Sequence, residues 1–302
     1  MKKVAVADLT LLFVVFIWGS TFVMVQNAIG FLAPHLFNAI RFFIAAILLI
    51  IGYRIFYSKK NDAIWTRSLF FSGIKIGIWL FLGYALQTVG LLTTTPAKAG
   101  FITGLSVVLV PLFSLLLLKQ KLRLPTILGV LFATFGLYFL TAAKGSTIVF
   151  GDVLVFFCAI SFAMQIIMTA KYAKAHPALP LTIIQVLSVA ILSFVSALLF
   201  EDFSILMNPA VMLKPDVWSA LLVTAFFATA FAFFAQTYFQ SYTSPTRVAL
   251  IFAMEPVFAA LTSFVLIGES LTTVSLIGCL FILTGMICAE LPFPKKLAAQ
   301  LE

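Results

Sequence analysis

Ten long runs of apolar residues, separated by short polar segments, dominate the chain. They cover residues 9–29, 35–57, 68–91, 97–118, 124–142, 150–170, 180–200, 217–240, 246–267 and 272–290. Most of them are close in length to the span of about 20 residues that a helix needs to cross about 30 Å of hydrocarbon. The runs are apolar on all sides, without the alternation of a membrane β-barrel, and an open sheet would leave backbone groups unpaired in lipid. The pattern therefore predicts an all-α integral membrane protein with ten transmembrane helices.

The second half of the chain repeats the first, 149 residues on. A Gln-Thr pair, a Thr-x-Pro-x-Lys/Arg motif and a glycine pair seven residues apart all recur: Gln87-Thr88 and Gln236-Thr237; Thr94, Pro96, Lys98 and Thr243, Pro245, Arg247; Gly129, Gly136 and Gly278, Gly285. The small residues of each glycine pair share one helix face and predict close helix packing. Each unit holds five spans, an odd number, so the second must enter the membrane the opposite way up. We expect two inverted five-helix repeats, residues 1–144 and 145–291, followed by a short cytoplasmic tail, residues 292–302; this plan is typical of transporters.

Composition and charge agree with a membrane location. Hydrophobic residues make up 63% of the chain and charged residues 10%, against about 45–50% and about 25% in soluble domains. The net charge of +9 lies mainly in the loops, so we expect no nucleic-acid partner. Fourteen of the nineteen Lys and Arg residues fall at one set of helix ends and three at the other. By the positive-inside rule both termini face the cytoplasm, with Lys98 outside and Arg247 inside.

The sequence gives little support to catalysis, a metal or a cofactor. Cys158, Cys279 and Cys288 lie within apolar runs, as buried small hydrophobes do. Only two histidines occur, and no zinc, phosphate-loop or nucleophile-elbow motif is present. We therefore expect no enzyme, and any active transport must use an ion gradient, exchange or a partner protein.

Glu255 is the sharpest candidate for chemistry. It lies about eight residues into the ninth span, close to mid-membrane at about 1.5 Å per residue. A carboxylate there is costly, so it usually marks a pathway, a proton relay or a partner. Pro256 follows and leaves the Phe252 carbonyl without its helix donor, which predicts a kink. Two interpretations stay open: a site for proton coupling or a substrate amine, and a structural carboxyl bonded across helices.

Two cations lie within spans rather than at their ends. Arg41 is about six residues into the second span, and Lys75 is about seven residues into the third, with Trp79 one turn further on. Each cation can extend to the membrane interface or pair with another helix, or it can contact a substrate. A guanidinium suits a carboxylate or phosphate better than an ammonium does. Arg41, Lys75 and Trp79 are therefore candidates for a substrate cavity.

Further polar side chains at mid-depth complete the candidate site. Trp18 and Ser20 belong to a cluster of one large ring, one small residue and two hydroxyls in the first span, and Gln165 follows the counterpart of this cluster. Gln87 and Gln236 occupy the same position in the two repeats. Such groups either line a cavity or bond neighbouring helices, and the sequence leaves both interpretations open.

Two stretches of the chain, residues 82–104 and 244–260, and the segment 266–271 resemble the EamA-type ten-helix carriers of the drug/metabolite transporter (DMT) superfamily. The resemblance spans the whole chain. It implies a central cavity with the fifth and tenth helices peripheral, a bacterial inner membrane, and export of amino acids, other metabolites or drugs. Glu255 aligns with Ser106, and Glu269 aligns with Gln120. Only one repeat carries the deep carboxylate, which disfavours a symmetric two-carboxylate coupling scheme.

These observations predict a secondary transporter that exports a small amino acid-like or drug-like metabolite by alternating access. Its expected partners are the small-molecule substrate, the lipid bilayer and a proton carried by Glu255; the sequence predicts no oligomeric state. A facilitative uniporter with a structural Glu255 is the alternative. The inverted repeat and the short loops disfavour a channel or a sensor.

Overall fold

The computed structural model describes residues 2–57, 65–120, 122–142, 148–268 and 272–290, which fold into helices and connecting turns with no β-strand among them. The α-helices are α1 (Lys2–Ile29), α2 (Pro34–Tyr57), α3 (Arg67–Gly90), α4 (Pro96–Gly104), α5 (Ser106–Leu118), α6 (Leu124–Ala142), α7 (Phe150–Tyr172), α8 (Ala178–Phe200), α9 (Pro209–Met212), α10 (Pro215–Val223), α11 (Ala232–Gln240), α12 (Pro245–Phe252), α13 (Glu255–Ile267) and α14 (Thr273–Glu290). A 3₁₀-helix, Phe203–Met207, precedes α9, and a π-helix, Thr224–Phe231, joins α10 to α11.

These helices correspond to the ten apolar runs of the sequence. Eight are long and apolar enough to cross a bilayer, and two shorter apolar helices, Leu124–Phe139 and Thr273–Cys288, are the fifth and tenth. The fourth span is α4 with α5, the eighth is α10, the π-helix and α11, and the ninth is α12 with α13. The predicted all-helical membrane fold is confirmed.

The repeated Thr-x-Pro motif is a helix start in both repeats. The Thr95 hydroxyl accepts the N–H of Lys98 at the start of α4, and the Ser244 hydroxyl accepts the N–H of Arg247 at the start of α12. Proline follows at the first helical position of each, where a missing N–H is harmless. The two half-spans that follow, α5 and α13, end at equivalent left-handed residues, Lys119 (φ 52°) and Gly268 (φ 65°).

The fourth and ninth spans are interrupted at equivalent points. Leu105 separates α4 from α5, and its N–H donates to the Ile102 carbonyl at 3.1 Å. Its repeat equivalent, Met254, lies at the break before α13 and donates to the Ile251 carbonyl at 3.0 Å. Each break is a single tight turn of 3₁₀ type. The kink expected beside Pro256 is present, whereas no proline lies beside the break at Leu105.

Equivalent helices of the two repeats cross antiparallel. A Cβ placed on Gly136 of α6 would lie 2.6 Å from the Gly278 carbonyl oxygen of α14, and one placed on Gly285 would lie 2.6 Å from the Gly129 carbonyl oxygen. Residue numbers therefore rise along α6 in the direction in which they fall along α14, so the two helices are antiparallel. At the second spans, the N–H groups that begin α2 donate at 2.7 Å to Glu201, the residue that ends α8. Because these pairs are equivalent elements, the repeats run in opposite directions.

The contacts between the repeats are also paired by symmetry. Helix α3 packs on α7, and its counterpart, the α10–α11 span, packs on α1; likewise α13 packs on α1 and α5 packs on α7. This interlocking surrounds a central space at the level of the two helix breaks.

Candidate functional site

A cavity of about 60 Å³ lies at the centre of the bundle, with room for a few ordered waters. Its walls come from both repeats. The first residue after each helix break, Ser106 in α5 and Glu255 in α13, lines it, so the two equivalent positions face the same space. The remaining lining residues are Trp18, Thr21, Phe22, Val25, Arg41, Leu80, Tyr84, Gln87, Thr88, Leu91, Thr103, Phe162, Gln165, Ile166, Phe233 and Phe252.

Glu255 is held at the cavity wall by the backbone of α13 rather than by polar partners. Its side chain is 9% exposed. Within the described residues no side chain or backbone group donates a hydrogen bond to it, and no cation lies in an ion pair with it. Gly19 of α1 packs directly against the Glu255 carbonyl oxygen. A buried carboxyl without a protein partner is available to a proton or a cationic ligand group.

Arg41 faces the cavity from α2 with a defined set of partners. Its Nε donates to Thr229 Oγ1 at 2.7 Å, and Nη2 donates weakly to Tyr84 Oη at 3.5 Å and to the Ala228 carbonyl at 3.4 Å. The guanidinium also stacks 4.8 Å from the centroid of the Tyr84 ring. The side chain is 3% exposed. Its Nη1 makes no hydrogen bond to any described residue, so a donor remains for an anionic ligand group.

The π-helix supplies the partners that orient both Arg41 and Trp18. Thr229 Oγ1 donates five residues back to the Thr224 carbonyl at 2.8 Å while it accepts from Arg41. The Ala228 carbonyl accepts Trp18 Nε1 at 2.8 Å in addition to Arg41. The equivalent stretch of α3 is regular α-helix, so the two repeats differ here. The π-helix is rare and is frequent at functional sites, and this one presents the Ala228 carbonyl and the Thr229 hydroxyl to Trp18 and Arg41.

Aromatic rings form the apolar wall of the cavity. Trp18 and Phe252 meet edge to face with centroids 5.0 Å apart, and Tyr84 and Phe162 do so at 5.3 Å. Phe233 contacts both Trp18 and Tyr84. These rings suit an apolar body or a cation over a ring face.

The structure brings Glu255, Arg41, Trp18, Gln87 and Gln165 to the cavity. Gln87 Nε2 donates to Thr103 Oγ1 at 3.1 Å, and Gln165 Nε2 donates to Thr169 Oγ1 at 3.1 Å. Both amides thus line the cavity and bond neighbouring groups, the two roles that the sequence left open.

Four other candidates lie elsewhere. Lys75 is exposed on the outer surface of the bundle and Trp79 is partly exposed one turn on. Ser20 accepts from Thr262 Oγ1 at 3.2 Å, between α1 and α13. Gln236 is buried behind the wall, where its Nε2 donates to Gln165 Oε1 at 3.1 Å and weakly to Gln240 Oε1 at 3.3 Å. Glu269 lies outside the described residues.

The sequence missed several cavity residues. The sequence does hold a clue to Tyr84, since a phenol in a membrane span needs a hydrogen-bond partner. It also holds a clue to Ser106, which is the repeat equivalent of Glu255. Phe162, Phe233 and Phe252 carried none among 34 phenylalanines. No group of three His, Cys, Asp or Glu side chains in the described residues could hold a metal ion.

Comparison with known proteins gives a consistent picture. The model of the EamA-like transporter family matches twice, at residues 5–142 and 149–290. An uncharacterised transporter from Archaeoglobus fulgidus is 40% identical over 285 residues, covering 94% of this chain and 86% of its own. The uncharacterised transporter YyaM of Bacillus subtilis is 25% identical over 90% of this chain and 89% of its own. A crystal structure with 22% identity superimposes with a TM-score of 0.75 over 99% of both chains, which shows the same fold.

Proposed function

Because the chain belongs to the EamA-like transporter family, we propose that it is a secondary transporter that exports a small metabolite through the central cavity by alternating access. The family and the membrane fold establish transport in general. The cargo, the direction and the energy source are our proposal. One observation carries it: a buried guanidinium and a buried carboxyl line the same cavity without forming an ion pair.

The two charged groups define the cargo that the cavity accepts best. Arg41 offers Nη1 to a carboxylate, and a hydrogen bond to a charged group contributes about 1.5–3 kcal/mol. Glu255 offers a carboxylate to an ammonium group. The aromatic rings that line the same cavity suit an apolar side chain. A small zwitterion of the amino-acid type satisfies all three features, whereas a purely anionic cargo would leave Glu255 without a partner.

Glu255 also provides a means of energy coupling. A carboxyl near mid-membrane can be occupied by a proton or by the ammonium of the cargo, but not by both at once. Exchange of one for the other during the cycle would couple cargo export to proton entry. Since Ser106 stands at the equivalent position of the first repeat, a single carboxyl carries this exchange. If Glu255 is instead structural, the protein is a gradient-independent uniporter.

The proposed orientation places both termini on the cytoplasmic side of the cell (inner) membrane, from the distribution of Lys and Arg. The two repeats, residues 1–144 and 145–291, would then move against each other to open the cavity to either side.

The decisive experiment measures flux in proteoliposomes under an imposed pH gradient. Labelled amino acids and cationic compounds are compared for the wild type, for Glu255→Gln and for Asp216→Asn, a control that neutralises an exposed carboxylate at the start of α10. We expect wild-type flux of a zwitterion to follow the gradient. Glu255→Gln should lose that dependence, and Asp216→Asn should keep it.

Equal, gradient-independent flux in the wild type and Glu255→Gln would replace proton coupling with the uniporter. Transport restricted to cargo without a carboxylate would contradict the role given to Arg41.

A further inference from the structure

Two ion pairs occupy symmetric positions at opposite ends of the bundle. Lys98 Nζ lies 2.5 Å from Asp152 Oδ2, and Arg247 Nη2 lies 2.5 Å from Asp8 Oδ2. Lys98 and Arg247 are the repeated basic residues of α4 and α12. The aspartates are related in the same way, because each belongs to the first span of its repeat, Asp8 to α1 and Asp152 to α7, and each binds the basic residue of the other repeat's fourth span. Symmetry-related ion pairs in inverted repeats lie at opposite membrane faces.

Each pair joins one repeat to the other at the start of a short half-span. Lys98 of α4 in the first repeat binds Asp152 of α7 in the second, and Arg247 of α12 in the second repeat binds Asp8 of α1 in the first. Helices α4 and α12 are short, about 12–14 Å long at 1.5 Å per residue. Their far ends are the two breaks that frame the cavity. Release of either pair would therefore free a half-span that reaches from the membrane face to the cavity.

The two pairs differ in their burial and in the other bonds that the aspartate accepts. Asp152 also accepts Thr94 Oγ1 at 2.5 Å and the N–H of Val149 at 2.9 Å. The side chains of Lys98 and Asp152 are 16% and 7% exposed. Asp8 receives two hydrogen bonds within the described residues, both from Arg247, and the side chains of Arg247 and Asp8 are 32% and 16% exposed.

A buried hydroxyl confirms the asymmetry. Thr243 is the repeat equivalent of Thr94, yet its Oγ1 is buried without a partner, whereas Thr94 Oγ1 binds the aspartate. The bond from a threonine hydroxyl to the aspartate is therefore present at the Lys98–Asp152 pair and missing at the Arg247–Asp8 pair. Charge-assisted bonds shielded from water are stronger than exposed ion pairs.

We propose that Lys98–Asp152 and Arg247–Asp8 are the closing contacts of two gates, and that the gate at the Lys98 end is held more firmly. In the proposed orientation the outer gate is the firmer, so the resting protein opens more readily toward the cytoplasm, where a cargo for export is loaded. The inference rests on the alternating access of the proposed function.

Side-specific labelling of a cavity cysteine tests the gates without any cargo. The three native cysteines are replaced by alanine, Ser106→Cys places a reporter at the cavity, and a membrane-impermeant maleimide is applied to either face of oriented vesicles. Asp152→Asn should raise the labelling rate from the Lys98 face about tenfold, which is about 1.4 kcal/mol. Asp8→Asn should raise the rate from the Arg247 face about threefold, and Asp216→Asn should change neither.

A charge exchange separates gating from misfolding. Arg247→Asp combined with Asp8→Arg reverses the pair at the end where the aspartate accepts only from its cation within the described residues, and it should return labelling from the Arg247 face toward the parent value. Unchanged labelling in both neutralised variants, equal increases from both faces, or failure of the exchange to restore the rate would overturn the proposal. If labelling is face-specific but no cargo is transported, the result would contradict the proposed function and would still support the two gates.

Discussion

Gly19 allows α1 to lie against α13, and a single methyl group tests this contact. A Cβ at position 19 would lie 2.7 Å from the Glu255 carbonyl oxygen, 2.8 Å from Phe258 Cβ and 2.9 Å from the Ala259 nitrogen. Two of these atoms belong to the α13 backbone and cannot swing aside as a flexible side chain would. Gly19→Ala must therefore push the two helices apart by roughly 0.5–1 Å to reach ordinary contact distances near 3.5 Å.

The magnitude follows from two opposing terms. Overpacking of this kind costs about 1–3 kcal/mol, and alanine recovers up to about 1 kcal/mol of helix propensity relative to glycine. We expect a net loss of about 1–2 kcal/mol. At about 2–4 °C per kcal/mol for domains of 150–250 residues, the melting temperature should fall by about 2–8 °C. The displaced segment begins with Glu255, so flux should fall as well.

Thermal unfolding in detergent, paired with proteoliposome flux, measures both effects. The matched control is Gly52→Ala in α2, where an added Cβ meets nothing within 4 Å; it should be as stable as the wild type or slightly more so. If Gly19→Ala melts at or above the temperature of this control, the close contact between α1 and α13 does not exist as described and the argument fails.

Three other substitutions probe separate parts of the structure. Arg41→Gln should raise the KM for a carboxylate-bearing cargo at least about tenfold, because a charged hydrogen-bond donor is lost. Arg54 is exposed near the end of the same helix, so Arg54→Gln should leave this KM unchanged. Equal effects of the two substitutions would contradict the placement of Arg41 in the substrate site. Trp18→Phe removes the bond to the Ala228 carbonyl and should cost about 1 kcal/mol in thermal unfolding, and wild-type stability would show that this bond contributes nothing. In Gly136→Ala the added Cβ would lie 2.6 Å from the Gly278 carbonyl oxygen of α14, so the melting temperature should fall while the KM for the cargo stays unchanged. A changed KM would show that α6 affects the cavity.

The sequence predicted the spans well because lipid imposes a simple requirement on composition. Ten apolar runs and the repeated Thr-x-Pro motif located the helices and the starts of α4 and α12. Pro256 located the break in the ninth span. The break at Leu105 has no adjacent proline, since the two prolines of that span, Pro96 and Pro111, lie nine residues before it and six residues after it. Symmetry with the ninth span was the only available clue.

The candidate site was harder to predict because depth along a helix says nothing about its rotation. Arg41 and Lys75 lie at similar depths in neighbouring spans, yet Arg41 faces the cavity and Lys75 faces outward. Both helices are apolar nearly all round, so no polar stripe marks the inner face. The π-helix that orients Arg41 is a property of tertiary packing, and its segment, Thr224–Phe231, has no distinctive composition.

The interlocked packing of the repeats has a consequence for biogenesis. Nearly every span of the first repeat has a principal neighbour in the second: α1 with α13, α2 with α8, α3 with α7 and α6 with α14. The first five spans are thus synthesised before the surfaces that cover them exist, and the faces that they bury in the folded protein are exposed to lipid until the second repeat is inserted. The five-helix repeat is therefore not an independent folding unit, and each half completes its folding only after the other has been inserted.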